Sequence, residues 1–227
     1  MAPIVARLSG ESADTTSTVY YGTMSSNHDP DTDPSTTARR KRRWRSAALR
    51  RRRDITPDQL ERAGLMLARR AARYVEALRP GTVVAGYIAM GHEIPTTPTL
   101  DDWLARGLTV LVPRLGTGRE IRWGEYTGSG DLEAMPRMAS GGLRPDEPRG
   151  DDRGPQALRR ARTILIPALA VDGRGLRLGR GAGWYDRALL HRSPEATTVA
   201  VCWPWEIVVA AVPCEGHDVP VDHVIRL

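Results

Sequence analysis

Residues 163–187 read TILIPALAVDGRGLRLGRGAGWYDR. The apolar run at 163–171, rich in β-branched and aliphatic residues, predicts a buried strand. Glycines then stand at every second position, Gly179, Gly181 and Gly183, among arginines. WYDRALLHR (184–192) follows with the spacing of a helix. A buried strand leading through a turn into a helix is the repeating half of an open α/β sheet, where ligands bind beyond the carboxyl ends of the strands. Two readings of the glycine stretch stay open. Its backbone N–H groups, the start of the helix near Trp184 and the forks of Arg177 and Arg180 can converge on an anion. Equally, the glycines can serve only a tight turn. No Gly-Lys-Ser/Thr follows, and G-x-G-x-G lacks the dinucleotide spacing, so neither familiar phosphate motif is present.

Outward from that stretch, short apolar runs alternate with helical ones. Thr56-Pro57-Asp58-Gln59 carries a capping-box signature, and apolar positions continue at helical spacing to about Leu78, where Pro80-Gly81 ends the pattern. TVVAGYIAM (82–90) reads as a strand, GHEIPTTP as a loop, and Thr97-Pro98 as the start of a helix ending near Gly107. LTVLVP (108–113), IRWGEY (121–126), TTVAVCW (197–203) and VDHVIRL (221–227) read as further strands. Residues 127–154 are mostly Gly, Pro, Asp and Arg and are expected to form a long surface loop. The pattern predicts a single α/β domain, a mainly parallel central sheet flanked by helices, over residues 39–227. Residues 1–38, rich in Ser, Thr, Asp and Pro, are expected to be a disordered extension.

The net charge of +6 is unevenly placed. Residues 1–38 hold one arginine against five carboxylates, residues 39–53 ten basic groups and no acid, and residues 54–227 balance at 22 of each sign. The basic charge therefore belongs to one helix, RRKRRWRSAALRRRR, rather than to a domain face, which argues against a nucleic-acid-binding module built on it. Two cysteines, Cys202 and Cys214, are too few for a disulfide framework and read as reduced thiols of a cytoplasmic protein. No apolar run approaches the roughly 20 residues of a membrane span, and no signal pattern opens the chain, so neither membrane association nor export is expected.

Several side chains stand where chemistry is possible, each beside a plainer role. Lys41, the only lysine beside 32 arginines, and Arg45 lie four apart on one helical face, where together they can reach a triphosphate. The plainer role is a solvated charged face. Asp186, just inside the helix after the glycines, can hold Mg²⁺ against phosphate oxygens or merely complement the helix dipole. Glu93 follows a strand end, where a carboxylate is either solvated or placed to bind a substrate N–H pair. His217, Asp218, Asp222 and His223 match no zinc spacing. No Ser-His-Asp or Cys-His arrangement is evident.

Taken in order, these segments resemble the 5-formyltetrahydrofolate cyclo-ligase (methenyltetrahydrofolate synthetase) family. The resemblance rests on Lys41 and Arg45, on Tyr87 before Glu93-Ile94-Pro95-Thr96, on LVP before Arg114, and on Glu147-Pro148. Its most specific block is IPALAVDGRGLRLGRGAGWYDR (166–187), and His217-Asp218 with Asp222 closes the set. Ala182 stands where a glycine is common in the family, Trp184 where a tyrosine is, and Pro95 where an acidic residue often is. The first 38 residues have no counterpart. The resemblance implies the NagB/RpiA/CoA-transferase-like fold and conversion of 5-formyltetrahydrofolate to 5,10-methenyltetrahydrofolate with ATP and Mg²⁺, releasing ADP and phosphate. It implies ATP contacts from Lys41, Arg45, Arg177, Gly179, Arg180, Gly181, Ala182, Gly183, Trp184 and Tyr185, with Arg180, Tyr185 and Lys41 catalytic. Tyr87, Met90 and Glu93 would bind the folate, and Asp186 and Asp218 the metal. The expected partners are these small molecules, with a monomer expected. The alternatives are a same-fold ATP-dependent enzyme acting on another formyl or pterin-like compound and, more distantly, nucleic-acid binding through residues 39–53.

Overall fold

A computed structural model describes residues 7–9, 34–115, 120–137, 143–214 and 218–227. In chain order, β1 (Arg7–Ser9) precedes the long helix α1 (Pro34–Arg52) and α2 (Pro57–Ala71). Next come β2 (Val83–Ala85), α3 (Thr97–Ala105), β3 (Thr109–Arg114) and β4 (Arg122–Tyr126). Two short strands, β5 (Leu132–Glu133) and β6 (Glu147–Pro148), lead to β7 (Thr163–Pro167), β8 (Ala170–Asp172) and β9 (Arg177–Leu178). The chain continues through α4 (Trp184–Leu189), β10 (Thr197–Cys202), β11 (Ile207–Val208) and β12 (His223–Arg226).

Local chemistry explains the firmest boundaries. At the start of α2, Thr56 Oγ1 accepts from the Gln59 backbone N–H at 3.3 Å, and Gln59 Oε1 accepts from the Thr56 N–H at 2.8 Å. This reciprocal cap satisfies two donors that the first turn leaves open. Ala63, Gly64, Leu67 and Ala71 form the buried stripe of α2. Gly64 allows a close approach: a Cβ there would lie 3.1 Å from the Pro95 side chain. α2 thus packs directly on the segment that carries Glu93.

Among the described residues, seven strands form the central sheet in the order β1-β12-β10-β7-β2-β3-β4. All neighbours are parallel except β3 and β4, which pair antiparallel from Val110↔Tyr126 to Arg114↔Arg122. Val84, Val110, Val112, Leu165, Val199 and Val201 face one core with α2 and α3, including the fully buried Leu67, Leu100 and Trp103. Their alternates, Val83, Ala85, Leu111, Ile164, Ile166 and Ala200, face a second core with Leu158 and, from α4, Ala188 and Leu189. Both faces of the sheet are covered, as parallel strands require. From β2 the chain moves outward to β3, whereas β7, β10 and β12 build in the opposite direction. The reversal lies between β2 and β7, so the connections leaving their carboxyl ends diverge and open a crevice.

Several expectations are corrected. The apolar run 163–171 is two strands, because Pro167 has no N–H for the ladder; beyond it the Leu169 N–H bonds Leu178 O at 2.7 Å and a small β11-β8-β9 sheet begins. The run 82–90 keeps only Val83–Ala85 in the ladder. A Cβ at Gly86 would lie 2.6 Å from Leu100 Cδ2, and the chain beyond it turns toward the crevice. The helix expected over 184–192 ends at Leu189, and the one expected to reach Leu78 ends at Ala71 before a 3-10 turn. The stretch 127–154 is not an unpacked loop. Its β5 and β6 pair, and Glu147 is buried, accepting from the Leu115 N–H at 2.8 Å and from Arg144. Of the expected extension, Arg7–Ser9 pairs parallel with β12 and residues 34–38 belong to α1; the remainder of 1–38 lies outside the described residues.

Candidate active site

The crevice between β2 and β7 holds a cleft of about 440 Å³. It is walled by the N-terminal half of α1, the loop after β2, and the segment from β9 into α4. Lys41, Arg45, Met90, Glu93, Arg177, Asp186 and Asp218 all line it, as do residues 179–185. Tyr87 lies next door, in a smaller pocket of about 30 Å³ that shares Met90, Glu93, Trp184 and Tyr185 with the cleft. Of the residues singled out in the sequence, only His217 lies outside the described residues.

The hairpin that presents the glycines is held from behind by Asp172. Its Oδ1 accepts from the backbone N–H groups of Arg174 and Leu176, and its Oδ2 from that of Val212 at 2.9 Å. Gly181 and Gly183 have φ of 109° and 64°, the left-handed region that glycine enters without a steric penalty. A Cβ would meet only the ends of long side chains that can shift, the Arg45 guanidinium at 3.1 Å from Gly181 and Arg187 Nη1 at 2.9 Å from Gly183, so the backbone conformation is what calls for glycine. Ala182 is exposed, and its carbonyl accepts from Arg187 Nη2 at 2.8 Å, so a methyl group is accommodated there.

The two arginines of this loop differ sharply. Arg177 is buried, donating to Asp186 Oδ1 at 2.7 Å and to Val219 O at 2.8 Å. It braces the first turn of α4 while still touching the cleft. Arg180, with a third of its side chain exposed, crosses the cleft and donates to Glu93 Oε1 at 2.8 Å and to Met90 O at 3.3 Å.

Glu93 is buried and held by its own loop, its Oε2 accepting from the Met90 N–H at 2.9 Å. That loop is pinned by Thr96 Oγ1, which donates to Tyr87 O, and by Trp203 Nε1, which donates to His92 O at 3.2 Å. Behind Glu93 lies a residue that sequence reasoning missed. Arg52 is buried and donates through Nε and Nη2 to Glu206 at 2.7 and 2.8 Å, and through Nη2 to Ala168 O at 2.7 Å. Its Nη1 is buried without a hydrogen-bond partner among the described residues and sits 3.9 Å from Glu93 Oε1. Burial opposes the Arg52 charge, but Glu206 and Glu93 outweigh it and raise its pKa. A signal for Arg52 existed in the sequence: Lys41, Arg45 and Arg52 stand at i, i+4 and i+11, one face of a helix.

At the other end of that face, Lys41 Nζ donates to Asp218 Oδ2 at 3.0 Å, and Arg45 Nε donates to Gly179 O at 2.9 Å. Both cations thereby attach α1 to the far wall of the cleft. Asp186 and Asp218 each hold one oxygen against a cation, and both belong to the cleft lining. Two carboxylates completed by ligand oxygens are a donor set that Mg²⁺ accepts, so the residues present fit that ion. Asp222 serves the scaffold instead, its Oδ2 accepting from the Thr198 N–H at 2.8 Å and from the Thr198 hydroxyl at 2.7 Å.

The smaller pocket is mainly apolar, with Ile88, Pro113, Leu115, Ile121, Pro145 and Trp184 beside the two tyrosines. Burial raises the hydroxyl pKa of both Tyr87 and Tyr185, and the Glu93 charge raises it further. Both phenols therefore stay protonated at neutral pH and present a flat wall with a neutral hydroxyl. A cationic, glycine-floored compartment meets an aromatic one at the Arg180–Glu93 contact. Such an arrangement suits a ligand that is polyanionic at one end and a planar polar ring at the other. Among the described residues, no helix is long and apolar enough to cross a membrane.

Comparison with known proteins identifies a family. The 5-formyltetrahydrofolate cyclo-ligase family model matches residues 37–226. A 5-formyltetrahydrofolate cyclo-ligase of Mycolicibacterium smegmatis is 37% identical over 193 residues, covering 82% of this chain and 93% of the relative. The Escherichia coli protein of that name is 29% identical over 178 residues, covering 77% and 93%. Two solved 5,10-methenyltetrahydrofolate synthetases share the fold. The one from Mycoplasma pneumoniae has a TM-score of 0.62 at 14% identity, covering 82% of this chain and 97% of its own. The one from Aquifex aeolicus has a TM-score of 0.64 at 24% identity, covering 82% and 89%.

Proposed function

The chain belongs to the 5-formyltetrahydrofolate cyclo-ligase family, and from that premise we propose that it converts 5-formyltetrahydrofolate to 5,10-methenyltetrahydrofolate, using ATP and releasing ADP and phosphate. The observation that carries this reading is the Arg180–Glu93 contact, where a cationic glycine loop touches a buried carboxylate at the mouth of an aromatic pocket.

The reaction suits these residue types. The formyl oxygen attacks the γ-phosphorus while the bond to the β-phosphate oxygen breaks, leaving ADP and an N5 iminium phosphate. N10 then adds to the activated carbon, loses its proton, and the carbon–oxygen bond breaks as phosphate leaves. An amide oxygen has no proton to give up, so no strong general base is needed in the first step. Positioning and neutralisation of charge on the transferred group dominate. Lys41, Arg45, Arg180 and the backbone of 179–183 would receive the phosphates. Trp184 and Tyr185 would form the wall where nucleotide and folate meet. Arg177 would act at one remove, by holding Asp186.

Glu93 would accept N–H groups of the pterin ring, with Tyr87 and Met90 beside it. Asp186 and Asp218 would hold Mg²⁺, which when bound offsets phosphate charge. Lys41 Nζ uses one of its three N–H donors on Asp218, and the same ammonium would also donate to a phosphate oxygen.

The methenyl product absorbs in the near ultraviolet. Mixing the protein with 5-formyltetrahydrofolate, Mg²⁺ and ATP should give a rise in absorbance that requires ATP and is abolished by chelator. No rise with active folate and nucleotide would refute the assignment and favour another formyl compound as substrate.

A further inference from the structure

We propose that Arg52 is a positioning residue that takes over the Glu93 carboxylate when Arg180 leaves it for an anionic ligand. The inference deepens the folate reading and rests on Glu93 being a substrate contact. As the structure stands, Glu93 Oε1 accepts from Arg180 at 2.8 Å. Arg180 is partly exposed at the cleft, and Arg52 is buried behind Glu93. Arg52 cannot itself reach a phosphate, since Nε and Nη2 are held by Glu206 and by Ala168 O. Its remaining fork, Nη1, is buried without a hydrogen-bond partner among the described residues and lies 3.9 Å from the same Glu93 oxygen that Arg180 occupies. A carboxylate oxygen has room for a second donor, and a shift of about 1 Å brings Nη1 to hydrogen-bond distance.

Charge bookkeeping gives the reason for such a reserve donor. Arg52, Arg180, Glu93 and Glu206 form a neutral set. Moving Arg180 onto a phosphate strands Glu93 in a buried site with Arg52 as its remaining cation, and an unpaired buried charge is strongly disfavoured. With Arg52 in place, the loop arginine can change partners without loosening the carboxylate that orients the folate. Nucleotide and folate can then be held together although their binding residues share one salt bridge.

The test compares 5-formyltetrahydrofolate affinity, by titration calorimetry, with and without adenylyl imidodiphosphate and Mg²⁺. The proteins are wild type, Arg52→Gln and Arg52→Lys, each checked by thermal unfolding. Without nucleotide, where Arg180 stays on Glu93, Arg52→Gln should bind folate within about twofold of wild type. With the analogue present its affinity should fall about tenfold, and Arg52→Lys, which keeps the charge, should lose less. Equal losses with and without nucleotide, or none in either, overturn the handover. If Arg52→Gln does not fold, the same two affinities are read on Arg52→Lys, where only a nucleotide-dependent loss supports it. A wild-type protein that binds no 5-formyltetrahydrofolate refutes the folate reading itself, and this inference with it.

Discussion

The helix α1 and the loop at 177–183 are both rich in arginine, yet they distribute their cations by different rules. In α1 the period decides. Lys41, Arg45 and Arg52 fall on the face toward the cleft and the core, while Arg39, Arg40, Arg43, Arg50 and Arg51 are exposed and Arg42, also exposed, borders the cleft. In the loop no period operates, and Arg177 and Arg180, three residues apart, receive opposite tasks. The one backed by Asp186 and Val219 O is buried between them; the one that reaches Glu93 stands partly exposed at the cleft. In a helix, position on the wheel assigns the role. In a loop, the acceptors waiting in the fold assign it.

Substitution can break that contrast. The largest effect is expected at Arg177, where Arg177→Ala removes a buried cation from Asp186 and should cost about 3 kcal/mol of unfolding free energy, measured by urea titration. A loss below about 1 kcal/mol would make Arg177 and Arg180 equivalent after all. Arg180→Ala should do the reverse, lowering kcat by about 100-fold in the absorbance assay while leaving the unfolding midpoint nearly unchanged. Gly183→Ala tests the loop's backbone, since it forces a side chain into the left-handed region against Arg187; a destabilisation of about 1–2 kcal/mol is expected. Last, Arg43→Ala, on the exposed side of α1, should change stability by no more than about 0.5 kcal/mol and leave turnover intact. A large loss of turnover at Arg43 would mean that the outer face of α1 does more than solvate the helix.

The sequence made the helix wheel legible, and with it the Lys41–Arg45 pair; the capping box at Thr56 and the alternation of strands with helices were equally plain. The place of the cleft followed, because a glycine turn after a buried strand in an α/β pattern sits at the carboxyl edge of the sheet. Arg52 was on the same wheel but hidden among ten basic residues, and only Glu206, far along the chain, marks it out. Glu147 was obscured by its setting, a stretch of Gly, Pro and charged residues that looks unpackable until its carboxylate is seen closing on the Leu115 N–H. The break at Pro167 could have been read from the missing donor. The Lys41–Asp218 bond could not, since nothing local to either residue points to the other.

That bond joins residues 177 apart along the chain, and the Arg52–Glu206 pair joins residues 154 apart. Contacts of such separation must wait for most of the polypeptide to be present, because loop closure opposes them until the intervening core has formed. α1 precedes both of these partners in the chain, so its contacts with them are made only after the segments between have been synthesised. Two cations of α1, Lys41 and Arg52, therefore depend on carboxylates that the chain supplies only after β2, β3, β4, β7 and β10 of the central sheet have been laid down.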